Sequence, residues 1–146
     1  MKLIAHRGLI SGPDPKLENK PEQISSALIQ GFDAEVDVWY IGDCWWVGHD
    51  APTYQVTDDF LHQHGLWLHA KNLGALYILS QTKLIYFWHQ NDDFTVTSNG
   101  YIWTYPGQPL TPNSVMVMPE CEDSTLVMAR SAKCHAICSD YVEKLK

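Results

Sequence analysis

Long hydrophobic runs are missing from this chain of 146 residues. No segment approaches the roughly 20 apolar residues that a bilayer-spanning helix needs. The first residues, MKLIAH, lack the apolar stretch of a secretory signal. We therefore expect a protein that does not insert into membranes and that resides in the cytoplasm.

Cysteine pairs and basic clusters are also missing. The four cysteines show neither a Cys-x-x-Cys pair nor zinc-finger spacing, so we expect reduced thiols. Ten Lys and Arg residues stand against 17 Asp and Glu residues, which gives a formal net charge of -7. Because no Lys/Arg cluster forms the electrostatic footprint that nucleic acids require, we expect no nucleic-acid partner.

The chain does contain the material for one hydrophobic core. Hydrophobic residues make up 45% of it and aromatic residues 12%. Its length also lies within the usual size range of one domain. The sequence therefore predicts a single globular domain over residues 1–146.

Helical patterns follow several of the apolar segments. One helix is predicted between Asn19, which is placed to cap it, and Gly31, which ends it. A short second helix follows a cap at Thr57 or Asp58, and a third begins after Asn72.

Seven strands are predicted from runs of apolar and strand-forming residues. The second continues through a Gly-Asp turn into a hairpin strand at 44–47, and a hairpin or loop is predicted between residues 93 and 112. The seven strands cover residues 2–5, 34–41, 66–71, 83–89, 101–105, 114–118 and 136–139.

This order of elements favours an α/β fold with a mostly parallel sheet and right-handed crossovers. Functional candidates at strand ends are typical of a TIM barrel, but a full barrel usually needs about 250 residues. The predicted fold is therefore a reduced or incomplete TIM-barrel-like parallel barrel of about seven strands, with several helices missing or with a partner chain completing a homo-oligomer.

Two carboxylates and two imidazoles are the candidate chemical groups. Glu35 and Asp37 are two residues apart on a predicted strand, so their side chains point to one face and can bind one hard cation. His6 and His49 each lie beside a predicted strand end, and imidazole can act as base or acid near neutral pH. Cations and acids stabilise the charges of a phosphodiester transition state. Each pair alone also fits a solvated strand face or a core histidine, so the prediction depends on their combination.

Four short motifs stand in order along the chain: His6-Arg7-Gly8, Glu18-Asn19, Glu35-Val36-Asp37 and His49-Asp50. This order resembles the glycerophosphodiester phosphodiesterase family, within the phosphatidylinositol-phospholipase-C-like group of TIM-barrel phosphodiesterases. The detailed match covers roughly the first half of the chain, and residues 137–141, ICSDY, resemble the last strand of the family.

The resemblance implies metal-dependent cleavage of a glycerophosphodiester or a related small phosphodiester. It implies Mg²⁺ or Ca²⁺ at Glu35 and Asp37, and proton transfer by His6 and His49. A neighbouring hydroxyl would attack phosphorus, and the resulting cyclic phosphate would then be hydrolysed.

The resemblance also implies that Arg7 and Lys71 bind the phosphate. We expect Glu18 to orient a substrate hydroxyl or the metal shell. His89 and Trp103 are expected to contact the substrate, because their positions on the predicted strands would face the pocket of a barrel.

One departure from the family concerns the metal. Where the family usually has Glu-x-Lys, this chain has His69-Ala70-Lys71. His69 shares a strand face with Lys71 and could complete the site as an imidazole ligand, which would favour Mn²⁺ or Zn²⁺, and Glu120 is the alternative third ligand. Two other functions stay open: a noncatalytic module that binds a phosphorylated ligand, and a metal-free cyclising lyase.

Overall fold

A computed structural model describes residues 1–121 and 126–146 of the chain. In these residues the α-helices are α1 (Pro21–Ile29), α2 (Asp58–Leu61), α3 (Leu73–Leu79) and α4 (Leu126–Ala129), and 3₁₀ turns cover His6–Gly8, Pro119–Cys121 and Val142–Leu145. The strands are β1 (Lys2–Ala5), β2 (Asp33–Ile41), β3 (Cys44–Val47), β4 (Tyr54–Val56), β5 (Leu66–Ala70), β6 (Tyr86–Phe87), β7 (Phe94–Val96), β8 (Ile102–Thr104), β9 (Ser114–Val117) and β10 (Ala136–Ser139). None of the helices in this part of the chain is both long and apolar enough to cross a membrane.

The strands form one curled sheet with few helices, a mixed α/β architecture that is compatible with a reduced barrel. Parallel pairs join β6, β5, β2, β1, β10, β9 and β8 in that order. The antiparallel strands β3 and β4 extend β2, and β7 pairs with β8. Two hydrogen bonds connect the β7 segment to β6 and the residue after it. Ser98 N donates to the Tyr86 carbonyl oxygen (2.8 Å), and Thr95 Oγ1 donates to the Trp88 carbonyl oxygen (2.8 Å).

The seven predicted strands correspond to the seven parallel strands, and the hairpin strand predicted at 44–47 corresponds to β3. The described residues contain ten strands in all, so two strands are additional to the prediction. Strands β4 and β7 are not among the predicted strands, because each has only three residues, too few to establish a period. The hairpin or loop predicted between residues 93 and 112 contains the antiparallel pair of β7 and β8. The strand predicted over 83–89 is only two residues long, Tyr86–Phe87, since it pairs with β5 over Leu68 and His69 alone.

Two of the three predicted caps are confirmed. Thr57 Oγ1 accepts from Phe60 N (3.2 Å), and Asn72 Oδ1 accepts from Ala75 N (3.0 Å). The prediction for Asn19 is wrong: Lys20 is the N-cap of α1, and the Asn19 side chain bonds elsewhere in the molecule.

The two faces of β2 and β5 have different surroundings, as the two-residue period of strands requires. On one face, buried aliphatic residues such as Val36 and Leu68 belong to the cluster that also contains Ile24 of α1 and Leu79 of α3. We call the other face, which carries Glu35, Asp37, Trp67 and His69, the site face. It continues into a second buried cluster: Ile4, Trp67, Phe87, Trp103, Val115, Val117, Ala136 and Cys138. The polar residues of the site face therefore lie next to a buried cluster that is rich in aromatic side chains.

Candidate functional site

A cavity of about 170 Å³ lies where the parallel strands end at their carboxyl termini. Eight of the ten predicted site residues line it: His6, Arg7, Glu35, Asp37, His49, His69, His89 and Trp103. Of the other two, Lys71 lines an adjoining cavity that shares His49, His69 and His89, and Glu18 contacts Arg7. Parallel strands bring these residues together because their carboxyl ends meet at one edge of the sheet.

His6 is held in place by an acid from the neighbouring strand. β1 pairs with β10 so that Ala5 lies beside Ser139, and His6 and Asp140 each follow directly. His6 Nδ1 donates to Asp140 Oδ1 (2.8 Å), which leaves Nε2 as the ring nitrogen for the cavity. Burial lowers the pKa of His6, but the hydrogen bond to Asp140 and the charge of Glu35 outweigh it, so the pKa is raised above its ordinary value.

Glu120 supports this acid and does not belong to the cluster of Glu35, Asp37 and His69. Its Oε1 accepts from Asp140 N (2.9 Å), and its Oε2 accepts from Ser139 Oγ (2.9 Å). Both carboxylate oxygens are thus used to fix the end of β10. Of the two alternatives for the third ligand, the geometry favours His69.

The turn after β1 brings the backbone of Arg7 to Glu35. Arg7 adopts a left-handed conformation (φ 51°), and its N–H donates to Glu35 Oε2 (3.0 Å). Gly8 follows with φ 77°, and a Cβ at this position would lie 3.0 Å from Ile24 Cγ1 and 3.1 Å from its backbone. The glycine of the His6-Arg7-Gly8 motif is therefore required by the close packing of this turn against α1.

Asn19 binds Asp37 through two hydrogen bonds, a role that the sequence reasoning missed. Asn19 Nδ2 donates to Asp37 Oδ2 (2.8 Å), and Asp37 N donates to Asn19 Oδ1 (2.9 Å). Asn19 is fully buried and has φ 57°, which asparagine tolerates better than most residues. Its place in the Glu18-Asn19 motif was the available signal, but the residue was interpreted as a helix cap.

The two buried carboxylates differ in their electrostatic environment. Burial and the neighbouring Asp37 raise the pKa of Glu35, and His6, His69 and Arg7 offset this only in part. Burial also acts to raise the pKa of Asp37, but His69, Lys71 and Asn19 outweigh it and hold that pKa below its usual range.

Two cationic side chains face Asp37. Arg7 Nε lies 3.5 Å from Asp37 Oδ2, while Arg7 Nη1 donates to Glu18 Oε2 (2.9 Å). Lys71 Nζ lies 3.5 Å from Asp37 Oδ1. Glu18 therefore contributes by orienting Arg7, and both cations are near enough to the cavity to attract an anion.

His69 completes a group of three potential metal ligands. Its Nδ1 lies 3.0 Å from Asp37 Oδ1 and 3.7 Å from Glu35 Oε1. The three ligand atoms lie within 4.8 Å of one another. Asp37 Oδ1 is buried and accepts no well-directed hydrogen bond from the described residues, although His69 Nδ1 and Lys71 Nζ approach it, so this oxygen is open to a cation. The residues present thus fit a divalent ion.

His49 lies at the mouth of the cavity, on a tight turn after β3. Its side chain is 34% exposed, and Nδ1 donates to Asp50 Oδ1 (2.7 Å). Gly48 has φ 150°, and a Cβ there would overlap the Ala51 carbonyl oxygen. Trp39 Nε1 donates to the Gly48 carbonyl (2.7 Å), so the aromatic residue fixes the turn that presents His49.

The rings of His89, Trp103 and Tyr105 also line the cavity. Tyr105 stacks on His89 with ring centroids 3.7 Å apart, and Phe87 stacks on Trp103 at 4.4 Å. Trp103 is 2% exposed, so it packs mainly in the core. Burial, with a smaller contribution from the charge of His69, lowers the pKa of His89.

Comparisons with known proteins return no match: no protein-family model, no curated protein and no solved structure is significantly similar to this chain. None of them identifies the chain as a glycerophosphodiester phosphodiesterase, so that resemblance stays a prediction. Function must therefore be inferred from the geometry of the residues themselves.

Proposed function

We propose that this chain is a metal-dependent phosphodiesterase, which cleaves a glycerophosphodiester or a related small phosphodiester in the cytoplasm. The observation that carries the proposal is the shared cavity: His6 and His49 line it together with Glu35 and Asp37. The proposed scaffold is a reduced TIM-barrel-like barrel, in agreement with the order of its parallel strands.

In the proposed first step, a substrate hydroxyl next to the phosphate attacks phosphorus. One imidazole, His6 or His49, takes the proton of that hydroxyl as the new P–O bond forms. The other imidazole gives a proton to the leaving alcohol as the old P–O bond breaks. A cyclic phosphate remains.

In the second step, water attacks phosphorus and the two imidazoles exchange roles. The imidazole that gave its proton takes one from water, and the other returns its proton to the oxygen released when the ring opens. The balance is one diester and one water to one monoester and one alcohol. Each general acid or base typically contributes about 10²- to 10⁴-fold in rate.

Glu35, Asp37 and His69 would hold the divalent ion. When bound, such an ion stabilises the negative charge that develops on phosphate oxygens. Arg7 and Lys71 add positive charge near the phosphate, and Glu18 orients Arg7. Asp140 and Asn19 are positioning residues, because they act through His6 and Asp37.

The test compares two diesters of glycerol phosphate, one with an alkyl alcohol and one with 4-nitrophenol. Cleavage is followed by ³¹P NMR, which also detects a cyclic phosphate, with Mn²⁺, Mg²⁺, Ca²⁺ or Zn²⁺ added in turn. We expect His49→Ala to lower the rate on the alkyl ester by about 100-fold or more. His64→Ala removes an exposed imidazole outside the site and is the matched control.

The second ester assigns the roles of the two histidines. Because 4-nitrophenolate leaves without protonation, removal of the general acid should lower its rate much less than that of the alkyl ester. Removal of the base should slow both esters equally. Binding of a diester with no cleavage would instead support the noncatalytic module, and cleavage that EDTA does not affect would support a metal-free lyase.

A further inference from the structure

We propose that His69 makes this centre selective for divalent ions that accept nitrogen ligands, such as Mn²⁺ and Zn²⁺, over Ca²⁺ and Mg²⁺. The inference rests on the proposed function in placing an ion at Glu35 and Asp37, and it adds the chemical class of that ion. It depends on the orientation of one imidazole and on the rigidity of its neighbours.

The His69 ring is oriented with Nδ1 towards the carboxylates. Its Nε2 lies 3.3 Å from the carbonyl oxygen of His89. A carbonyl oxygen only accepts, so Nε2 carries a hydrogen and the neutral ring has its lone pair on Nδ1. A ligating histidine usually donates its other N–H in this way to a carbonyl or carboxylate.

The contact between Nδ1 and Asp37 requires a positive charge. A neutral imidazole lone pair 3.0 Å from a carboxylate oxygen is repulsive unless a proton or a metal ion lies between them. Asp37 is 1% exposed, so water does not screen this contact. The pair can therefore share a proton, as an Nδ1–H···Oδ1 hydrogen bond, or a metal ion that takes the place of that proton.

The three ligands are held in position by separate contacts. His69 stacks on Phe87 with ring centroids 4.9 Å apart and an interplanar angle of 13°. Asn19 fixes Asp37 through two hydrogen bonds, and Arg7 N fixes Glu35. A preorganised set of this kind does not rearrange at low cost to suit another ion.

The ligand set fits one class of ions better than the other. Ligands at about 2.0–2.2 Å from an ion, as for Zn²⁺, lie about 2.8–3.6 Å apart at octahedral to tetrahedral angles, and Mg²⁺ shares this range, so the distinction comes from the nitrogen ligand. The observed separations of 3.0 Å and 3.7 Å from Nδ1 are close to this. Ca²⁺ takes about six to eight oxygen ligands, and Mg²⁺ also prefers oxygen, so a nitrogen in this position disfavours both.

The first experiment measures the binding of metal ions alone by isothermal titration calorimetry. The full chain is freed of metal with EDTA, dialysed and titrated with Mn²⁺, Zn²⁺, Mg²⁺ and Ca²⁺. Transition-metal ions bind most protein sites more tightly than Ca²⁺ does, so a tighter Mn²⁺ affinity alone proves nothing about His69. We therefore compare the Ca²⁺ dissociation constant divided by the Mn²⁺ dissociation constant before and after substitution. We expect His69→Glu to lower this ratio by at least about tenfold. His64→Glu has the same change in charge at an exposed position and should leave the ratio unchanged.

The second experiment detects the nitrogen ligand directly. Electron spin echo modulation of bound Mn²⁺ should show coupling to ¹⁴N in the unmodified chain and in His64→Glu. His69→Gln should lose this coupling, although its amide N–H can still donate to the His89 carbonyl and keep the local fold. Circular dichroism of each variant verifies that it is folded.

The outcomes separate this inference from the proposed function. The expected ratio change and nitrogen coupling, with no cleavage of either diester, would support the metal class and overturn the phosphodiesterase. Cleavage that depends on Ca²⁺, with an unchanged ratio in His69→Glu or with nitrogen coupling retained in His69→Gln, would overturn the metal class and leave the enzyme in place.

Discussion

The buried side chain of Asn19 makes two hydrogen bonds with Asp37. Its Nδ2 donates to the Asp37 carboxylate, and its Oδ1 accepts from the Asp37 backbone N–H. The Asn19 N–H is itself bonded to the Arg7 carbonyl oxygen (2.9 Å). Through its backbone N–H and its side-chain amide, Asn19 therefore links the loop before α1, the turn after β1 and the Asp37 carboxylate of β2. This link fixes the rotamer of a proposed metal ligand before any ion binds.

Replacement of Asn19 should destabilise the fold as well as the site. Asn19→Gly tolerates the positive φ but removes two buried hydrogen bonds of Asp37 and leaves the Asp37 N–H without a partner, at about 1–3 kcal/mol for that buried group. Asn19→Ala should lose about 1 kcal/mol more, because alanine is strained in the left-handed region. Urea unfolding measures both variants, and a glycine variant as stable as the unmodified chain would contradict the role of this amide.

Asp140 should control the protonation of His6. Removal of its charge in Asp140→Asn leaves burial as the larger influence, so the His6 pKa should fall from above to below its ordinary value of 6.5. A raised pKa stabilises the fold below pH 6.5 and loses this effect as the pH rises through the folded value. The variant should therefore be less stable than the unmodified chain near pH 6, with a smaller difference at higher pH.

NMR titration of the His6 ring in the metal-free protein checks this prediction. Asp50→Asn is the matched control, since Asp50 contacts His49 and not His6. An unchanged His6 pKa in Asp140→Asn would show that Asp140 does not determine it.

Glu35 should reduce the stability of the metal-free protein. Burial and Asp37 raise its pKa, so the stability that depends on protonated Glu35 is lost as the pH rises above the ordinary value of 4.5. Glu35→Gln keeps an oxygen that can accept from Arg7 N, and at pH 7 it should stabilise the metal-free chain by about 0.5–2 kcal/mol. Thermal and urea unfolding in EDTA measure this gain.

The same Glu35→Gln variant should gain less stability from added Mn²⁺ than the unmodified chain, since one ligand charge is lost. Glu22→Gln, at an exposed position of α1, is the control. It should change neither the stability of the metal-free chain nor the stability gained from Mn²⁺. Destabilisation of the metal-free Glu35→Gln protein would show that the Glu35 carboxylate is structural.

Gly48 should be essential for the position of His49. In Gly48→Ala the new methyl group would overlap the Ala51 carbonyl, so the turn must move and carry His49 with it. We expect loss of at least about 1 kcal/mol of stability and of diester cleavage. Gly100→Ala is the control, because Gly100 also has a positive φ (87°) but a Cβ there would have no atom within 4 Å. This variant should lose only the stability that alanine loses by adopting a positive φ.

The sequence predicted well those features that depend on local patterns. Runs such as 136–139, AICS, are buried throughout and were recognised as strands from their composition. Thr57 and Asn72 were recognised as caps because a cap bonds within three residues of itself. Strands β4 and β7 escaped prediction because three residues are too few to show a period.

Partners distant in the chain were the least predictable. Asn19 has the local appearance of a cap, and only the tertiary fold offers it Asp37, 18 residues away. His6 and Asp140 are separated by 134 positions, and they meet because β1 pairs with β10 in one register. Most residues that line the cavity can thus be named from the sequence, whereas Asn19 and Asp140, which orient two of them, are found only in the structure.

The row of parallel strands begins at β6 and ends at β8, and these two strands do not form a ladder with each other. They are connected through β7, which pairs with β8, and through Thr95 and Ser98, which donate hydrogen bonds to backbone carbonyls of β6 and the residues after it. Four hydrogen bonds of Thr95 and Ser98 form this junction, and three of them use a side-chain hydroxyl. The contact between β6 and the β7 segment therefore depends on the identity of two side chains, whereas a backbone ladder would tolerate almost any residue at these positions.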